Sequence, residues 1–239
     1  LKQFVVRRGQ LATVIAGYPW FLDWGRDTLI VARGLIAAGE LDTTAAIVRQ
    51  FGAFEAGGTL PNMIRGNDAS NRDTSDAPLW LFVVCADLMA AQGTRDLLTA
   101  DCNGRTLLTV LTELATALTK GTANGVAMDP ASGLLFSPSH FTWMDTNHPA
   151  GSPREGYPIE IQALWHAALT FLASTVPGTA AEEWRRRAEA VRASIVRYYF
   201  SPEMGYLADC LHASPGTPAA QAVADTALRP NQLLALTLG

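Results

Sequence analysis

Pro158–Thr175 reads PIEIQALWHAALTFLAST, eighteen residues that are apolar almost throughout and carry only Glu160, Gln162 and His166 as strongly polar side chains. A helix that is apolar on every side has no face to give to water, so it belongs inside a protein, covered by other elements. The next helical stretch, Ala180–Phe200, has the opposite character. Trp184, Ala188, Val191 and Ile195 form one narrow stripe at helical spacing, and arginines and glutamates cover the rest. The same contrast occurs earlier in the chain. Asp76-Ala77-Pro78 is a helix start with a capping residue and an early proline, and the LWLFVVCADLMAAQ that follows carries a single charge. Thr106–Thr119 places Leu107, Leu111, Leu114 and Leu118 at i, i+4, i+7 and i+11.

Buried helices alternating with amphipathic ones predict two concentric layers, an apolar inner ring and an outer ring with one wet face. The fold class expected is therefore all-α, an α/α barrel. A four-helix bundle ranks second, because it would want amphipathic helices throughout and short loops. Two more helices complete the first half. One runs from Asp27 with Gly39 as its closing residue, and the other covers Thr43–Ala56 with Asp42 as its expected N-cap. Gln3–Ala16 is a short hairpin or extended lead-in around RRG. Thr59–Ser75 and Gly121–Asn147 are loop, and a last helix begins near Pro230.

Composition narrows the function. The 239 residues are 49% hydrophobic and 17% charged, which suits a globular chain with a large core. The net charge of −4 excludes a broad polyanion-binding surface, and Arg185–Arg187 reads as a solvated helix face, so no nucleic-acid partner is expected. The three cysteines, Cys85, Cys102 and Cys210, form no CxxC pair and no even disulfide set. No signal peptide opens the chain, and its longest apolar run falls far short of a membrane span. The expected setting is cytoplasmic, without a membrane partner. His140, His148, His166 and His212 lack ligand spacing, and no glycine-rich phosphate cradle is present, so neither a metal nor a cofactor is expected. The opening LKQFVVRRG lacks Met and the close LLALTLG lacks a stop signal. Both ends read as cuts, which predicts a fragment of a longer protein.

The chemistry concentrates in three loops that each precede a buried helix. Ala16–Asp27 (AGYPWFLDWGRD) gathers aromatics, two aspartates and an arginine. Flat apolar faces beside forked hydrogen-bonding groups are what a hexose needs. The plain alternative makes Asp27 an N-cap, with Trp20 and Trp24 in the core. Ser75–Trp80 is the second loop, with Asp76 as cap or as ligand. The third carries Trp143-Met144-Asp145, Arg154 and Glu160. Helix starts of one polarity would bring the three together at one mouth of a barrel. Carboxylates there suit glycoside hydrolysis, which needs one protonated and one ionised. Trp143 beside Asp145 offers the dry surroundings that raise the pKa of an acid. Glu160 needs a partner in an apolar helix, and Arg154 is the nearest. The pair is either a structural ion pair or a sugar clamp.

Taken together, AGYPWFLDWGRDTLI, SDAPLWLF, TWMD, PREGYPIEIQALW and ALRPNQLLA resemble the C-terminal amylo-α-1,6-glucosidase domain of glycogen debranching enzymes, in order across nearly the whole chain. The W-x-R-D element is also similar to that of glucoamylases. The resemblance implies a glucosidase domain on an (α/α)6 barrel, here residues 1–239 with 1–16 as lead-in. The barrel would be incomplete, holding its N-terminal half or more. It further implies that Trp24, Arg26 and Asp27 hold glucose, that Asp76, Arg154 and Glu160 line the same pocket with Trp143, and that Asp145 is the general acid. The implied reaction releases glucose, with inversion, from α-1,6 branch stubs of a branched α-glucan such as glycogen or limit dextrin. The general base falls beyond Gly239, so these residues alone are expected to be a poor catalyst. Two readings compete with this one: another α-glucosidase or trehalase-type hydrolase, and a non-catalytic glycan-binding module.

Overall fold

The computed structural model describes residues 2–18, 20–146 and 152–238, so Asn147 and His148 lie outside the described residues. The chain is 49% helical, with seven α-helices among the described residues. Every strand ladder is only two to four residues long. The chain divides into two compact units, Leu1–Thr116 and Ala117–Gly239.

The first unit opens with an antiparallel hairpin of β1 (Val5–Arg8) and β2 (Leu11–Val14). A second two-residue ladder joins β3 (Asp23–Trp24) to β4 (Met63–Ile64). Helix α1 (Gly25–Ala37) ends where Gly39 turns left-handed at φ +79, as its position after the periodic run predicted. Helix α2 (Leu41–Phe54) starts two residues earlier than expected. Glu40 is its N-cap, and Asp42 lies in the first turn, where a carboxylate favours the helix dipole. Helix α3 (Ala77–Gln92) is buried at every position from Ala77 to Cys85, which accounts for its lack of a polar face. Helices α1, α2 and α3 pack on one another. Helix α4 (Leu107–Lys120) follows, its four-leucine stripe buried.

In the second unit α5 (Ile159–Thr175) packs along α6 (Gly178–Tyr199), and α7 (Leu233–Thr237) follows a short 3-10 turn at Pro230–Gln232. Three short strands, 156–158, 210–212 and 223–225, form a sheet with 210–212 in the middle. Gly156 is required there. Its φ is +125, and a Cβ on it would lie 2.2 Å from the Leu211 carbonyl oxygen. The α6 stripe departs from expectation at one end. Ile195 is only half-buried, and Ser194 beside it is buried with its hydroxyl donating to the Ser132 carbonyl at 2.7 Å.

Candidate active site

The sequence-predicted residues fall into two groups, one in each unit. In the first unit the chain before α1 is held from several sides. Gly25 donates its N–H to the Asn62 carbonyl at 2.9 Å, and a Cβ on Gly25 would meet the Pro61 carbonyl oxygen at 2.3 Å, so only glycine allows this approach. Trp24 is half-buried and extended (φ −105, ψ 136), the N-cap residue of α1 without a side-chain cap bond. Asp27 is exposed in the first turn and is not the cap. Trp20 is 83% exposed and Tyr18 and Phe21 are also exposed, which removes the core alternative for Trp20.

Arg26 and Asp76 are both buried, and Arg26 Nε donates to Asp76 Oδ2 at 2.5 Å. Asp76 occupies the N-cap position of α3 but makes no side-chain cap bond; its other oxygen accepts from Thr74 Oγ1 at 2.8 Å. The capping reading is thereby corrected. Thr74 Oγ1 takes that place, accepting from Ala77 N at 3.4 Å. A carboxylate drawn into a buried ion pair is worth more there than as a surface cap, because a buried guanidinium left alone costs several kcal/mol.

Sequence reading passed over Asp23. It is buried and bound bidentately by Arg8, with Nε to Oδ2 and Nη2 to Oδ1 both at 2.8 Å, while Thr13 Oγ1 donates to Oδ2 at 3.2 Å. Arg8 also donates to the Gly66 carbonyl at 2.6 Å. The hairpin is therefore not only a lead-in. It clamps the residue immediately before Trp24.

The second group centres on Arg154, which is 0% exposed. All five of its N–H groups are used. Nε donates to Asp209 Oδ2 at 2.9 Å. Nη1 reaches Thr142 Oγ1 at 3.2 Å and Glu160 Oε1, and Nη2 reaches Glu160 Oε2 at 2.6 Å and the Asp209 carbonyl at 3.1 Å. Arg154 sits at φ +47, a conformation that costs about 1–2 kcal/mol for a residue with a Cβ. Burial alone would lower the guanidinium pKa, but the bonds from Glu160 and the charges of Glu160 and Asp209 outweigh it and hold Arg154 protonated well above the usual range. Of the two roles left open, the ion pair is the one this geometry supports. All five Arg154 donors are spent inside the protein, on Glu160, Asp209 and Thr142.

The network they build runs on to the loop of interest. Asp209 Oδ1 accepts from Asn231 Nδ2 at 2.6 Å, and Asn231 Oδ1 accepts from the Trp143 indole N–H at 2.8 Å. Thr142 and Trp143 are thus both tied to buried groups, one directly and one through Asn231. Arg229 donates from Nη1 to Asp209 Oδ2 at 2.9 Å and to Asp225 Oδ2 at 2.8 Å, bringing a second cation to the buried carboxylates. Trp143 itself is 50% exposed and Asp145 is exposed, so the described residues do not supply the dry surroundings expected around that carboxylate. What they supply is position: an accessible carboxylate two residues from an accessible indole face, on a loop anchored to the interior. Asp209 and Asn231 were not singled out from sequence, although PNQ in the late motif was the one available signal. Among the described residues no group of three or more His, Cys, Asp or Glu side chains could hold a metal ion.

A family model described as amylo-alpha-1,6-glucosidase matches residues 1–239. No curated protein matches. Among solved structures, a rhamnosidase from Klebsiella oxytoca with rhamnose bound is 16% identical with a TM-score of 0.50, covering 74% of this chain and 34% of that one. A possible glycoside hydrolase family 105 member from Salmonella enterica is 16% identical (TM-score 0.52; 90% and 52% covered). A family 105 glycoside hydrolase from C. acetobutylicum is 12% identical (TM-score 0.52; 88% and 60% covered). These likenesses are of fold, to families built on (α/α)6 barrels. The chain spans about a third to three-fifths of the length of these structures.

Proposed function

The chain belongs to the amylo-alpha-1,6-glucosidase family, and from that premise we propose that it is the glucose-releasing portion of a glycoside hydrolase acting on α-1,6-linked glucose at the branch stubs of a glycogen-like α-glucan. Asp145 is the general acid in this reading. Its proton passes to the glycosidic oxygen as the bond from that oxygen to the anomeric carbon breaks. Water adds to the opposite face of the ring, giving up its proton to a second, ionised carboxylate, and glucose leaves with inverted configuration. The resemblance assigns none of residues 1–239 to that second carboxylate. Trp24, Arg26, Asp27 and Asp76 are the glucose ligands, and Trp143 offers an aromatic face to the sugar. Arg154 and Glu160 move from the ligand set to the support of the Thr142–Asp145 loop. The barrel arrangement of residues 1–239 belongs to the same proposal.

One observation supports the assignment of Asp145 above all. The loop that presents it is fastened to a buried ion-pair network through both Thr142 and Trp143, while Asp145 stays exposed. Chains hold exposed carboxylates in place at such a cost where position matters. The test is Asp145→Asn in the intact protein, assayed on panose, maltose and trehalose. Loss of a positioned general acid lowers the rate by about 10²–10⁴ with little change in substrate affinity. Unchanged turnover removes Asp145 from the mechanism, and preference for trehalose or maltose over panose overturns the α-1,6 assignment.

A further inference from the structure

We propose that the cavity at the Arg8–Asp23 clamp is a binding subsite for neutral hexose units of an α-glucan chain, a proposal that takes its glucan from the glucosidase reading above. The cavity measures about 380 Å³ and lies within the first unit, between the β1–β2 hairpin, the residues around the start of β3 and the turn after β4. Arg8, Thr13 and Asp23 give it a polar wall, and Ile15, Leu22 and Ile64 an apolar one. Arg7 and Asn67 also line it and are exposed, so the cavity is open to water. None of Trp24, Arg26, Asp27 and Asp76 lines it. Its size and its mixture of apolar walls with a few fixed polar groups are those of a small-molecule pocket, at the lower end of roughly 300–1,000 Å³.

The clamp sets both kinds of hydrogen-bonding group side by side. Asp23 accepts from Arg8 Nε and Nη2 at 2.8 Å and from Thr13 Oγ1 at 3.2 Å, and a carboxylate has about four acceptor places. Arg8 carries five N–H groups. Those two bonds and the one from Nη1 to the Gly66 carbonyl at 2.6 Å are the ones it makes among the described residues. Guanidinium donors, a hydroxyl oxygen and a carboxylate thus stand in one cluster, and the Asn67 amide on the rim adds a group that both donates and accepts. Vicinal sugar hydroxyls match such a mixture, since each also donates and accepts. An anion would meet Asp23 and a cation would meet Arg7 and Arg8, so the fitting ligand is neutral. The walls lead on to an aromatic surface. Ile15 and Leu22 stand at the stems of a turn closed by Ala16 N–H on the Leu22 carbonyl and Phe21 N–H on the Gly17 carbonyl, both at 2.9 Å. Tyr18, Trp20 and Phe21 are exposed on it, and Tyr18 leans on Phe4 with ring centroids 6.3 Å apart. Aromatic side chains left in water forgo the burial that stabilises a fold. A glucan chain leaving the cavity gives them a use, because a sugar ring lies flat on an indole face.

The experiment is isothermal titration of the intact protein with maltoheptaose while 1-deoxynojirimycin saturates the glucose site, with a thermal melt of each variant. Wild type is expected to bind maltoheptaose under these conditions. Asn67→Ala and Trp20→Ala change exposed side chains, so they should leave the melting temperature in place. Each should weaken maltoheptaose about 3–10-fold, the worth of one neutral hydrogen bond or one stacked ring. Arg8→Lys keeps the charge and loses the fork, and it should weaken binding by about tenfold or more. No binding of maltoheptaose to wild type beside saturating 1-deoxynojirimycin overturns the proposal. So does an affinity left unchanged by both Asn67→Ala and Trp20→Ala, or by a folded Arg8→Lys. Failure of wild type to bind 1-deoxynojirimycin overturns the glucosidase reading instead, and the maltoheptaose comparison still decides the cavity.

Discussion

Replacing Arg154 by methionine keeps the bulk of the side chain and removes all five hydrogen bonds at once. The loss falls unevenly. Asp209 keeps Arg229 at 2.9 Å and Asn231 at 2.6 Å. Glu160 loses its bidentate partner while remaining 1% exposed, so the cost concentrates there. Breaking a buried pair by removing one member costs about 3–5 kcal/mol, against roughly zero to 1 for an exposed pair. With an m-value of about 2 kcal/mol per molar urea, that lowers the unfolding midpoint by about 1.5–2.5 M. Burial pushes the Glu160 carboxyl pKa up and Arg154 pulls against that push, so in the variant the group takes a proton more readily. A raised folded-state pKa stabilises below the unfolded value and is lost as pH rises, so the penalty should grow from acid to neutral pH. The double variant Arg154→Met, Glu160→Met replaces the pair by apolar groups and should recover most of the loss. Urea titrations read by the tryptophans of the second unit, Trp143, Trp165 and Trp184, measure all three proteins. A single-variant loss below about 1 kcal/mol, or additive effects in the double variant, would refute the account of a buried, mutually dependent pair.

Three other outcomes follow from the same structure. Gly25→Ala should destabilise the first unit by about 1–3 kcal/mol or more, because the added Cβ meets the Pro61 carbonyl oxygen at 2.3 Å; a thermal melt unchanged from wild type would show that the approach can relax. The native chain should react with none of its thiols when Ellman's reagent is added and with all three after denaturation. Cys85, Cys102 and Cys210 are buried, and burial lifts the Cys102 thiol to about 11 and the other two further; a fast-reacting native thiol contradicts this. Burial alone would raise Asp225, yet the N–H of Ala227, Arg229 and His212 hold its pKa below the usual 3.8. A depressed folded-state pKa gives stability that is present above the unfolded value and lost as pH falls below about 3.8. Asp225→Asn should therefore flatten the acid limb of the stability curve, and an acid limb unaltered by the substitution assigns acid unfolding elsewhere.

The sequence by itself determined where the helices lie and which of them are enclosed. The all-round apolar stretches became α3 and α5, and the four leucines of α4 are buried, because helical periodicity is a local property written within a few turns. It also paired Glu160 with Arg154, six residues apart, since a buried carboxylate demands a cation and one was near. Caps were less legible. Glu40 displaced Asp42, and Asp76 gave up its cap to join Arg26, because a side chain with two options follows the partner that burial supplies. Only the tertiary structure decided the rest: Arg8 on Asp23 fifteen residues away, Asp209 on Arg154 fifty-five away, Asn231 on Trp143 eighty-eight away, and an amide oxygen at Asn62 without a partner among the described residues. Such contacts have no period and no fixed spacing. They exist only once packing has removed water and made each polar atom find, or lack, a partner in three dimensions.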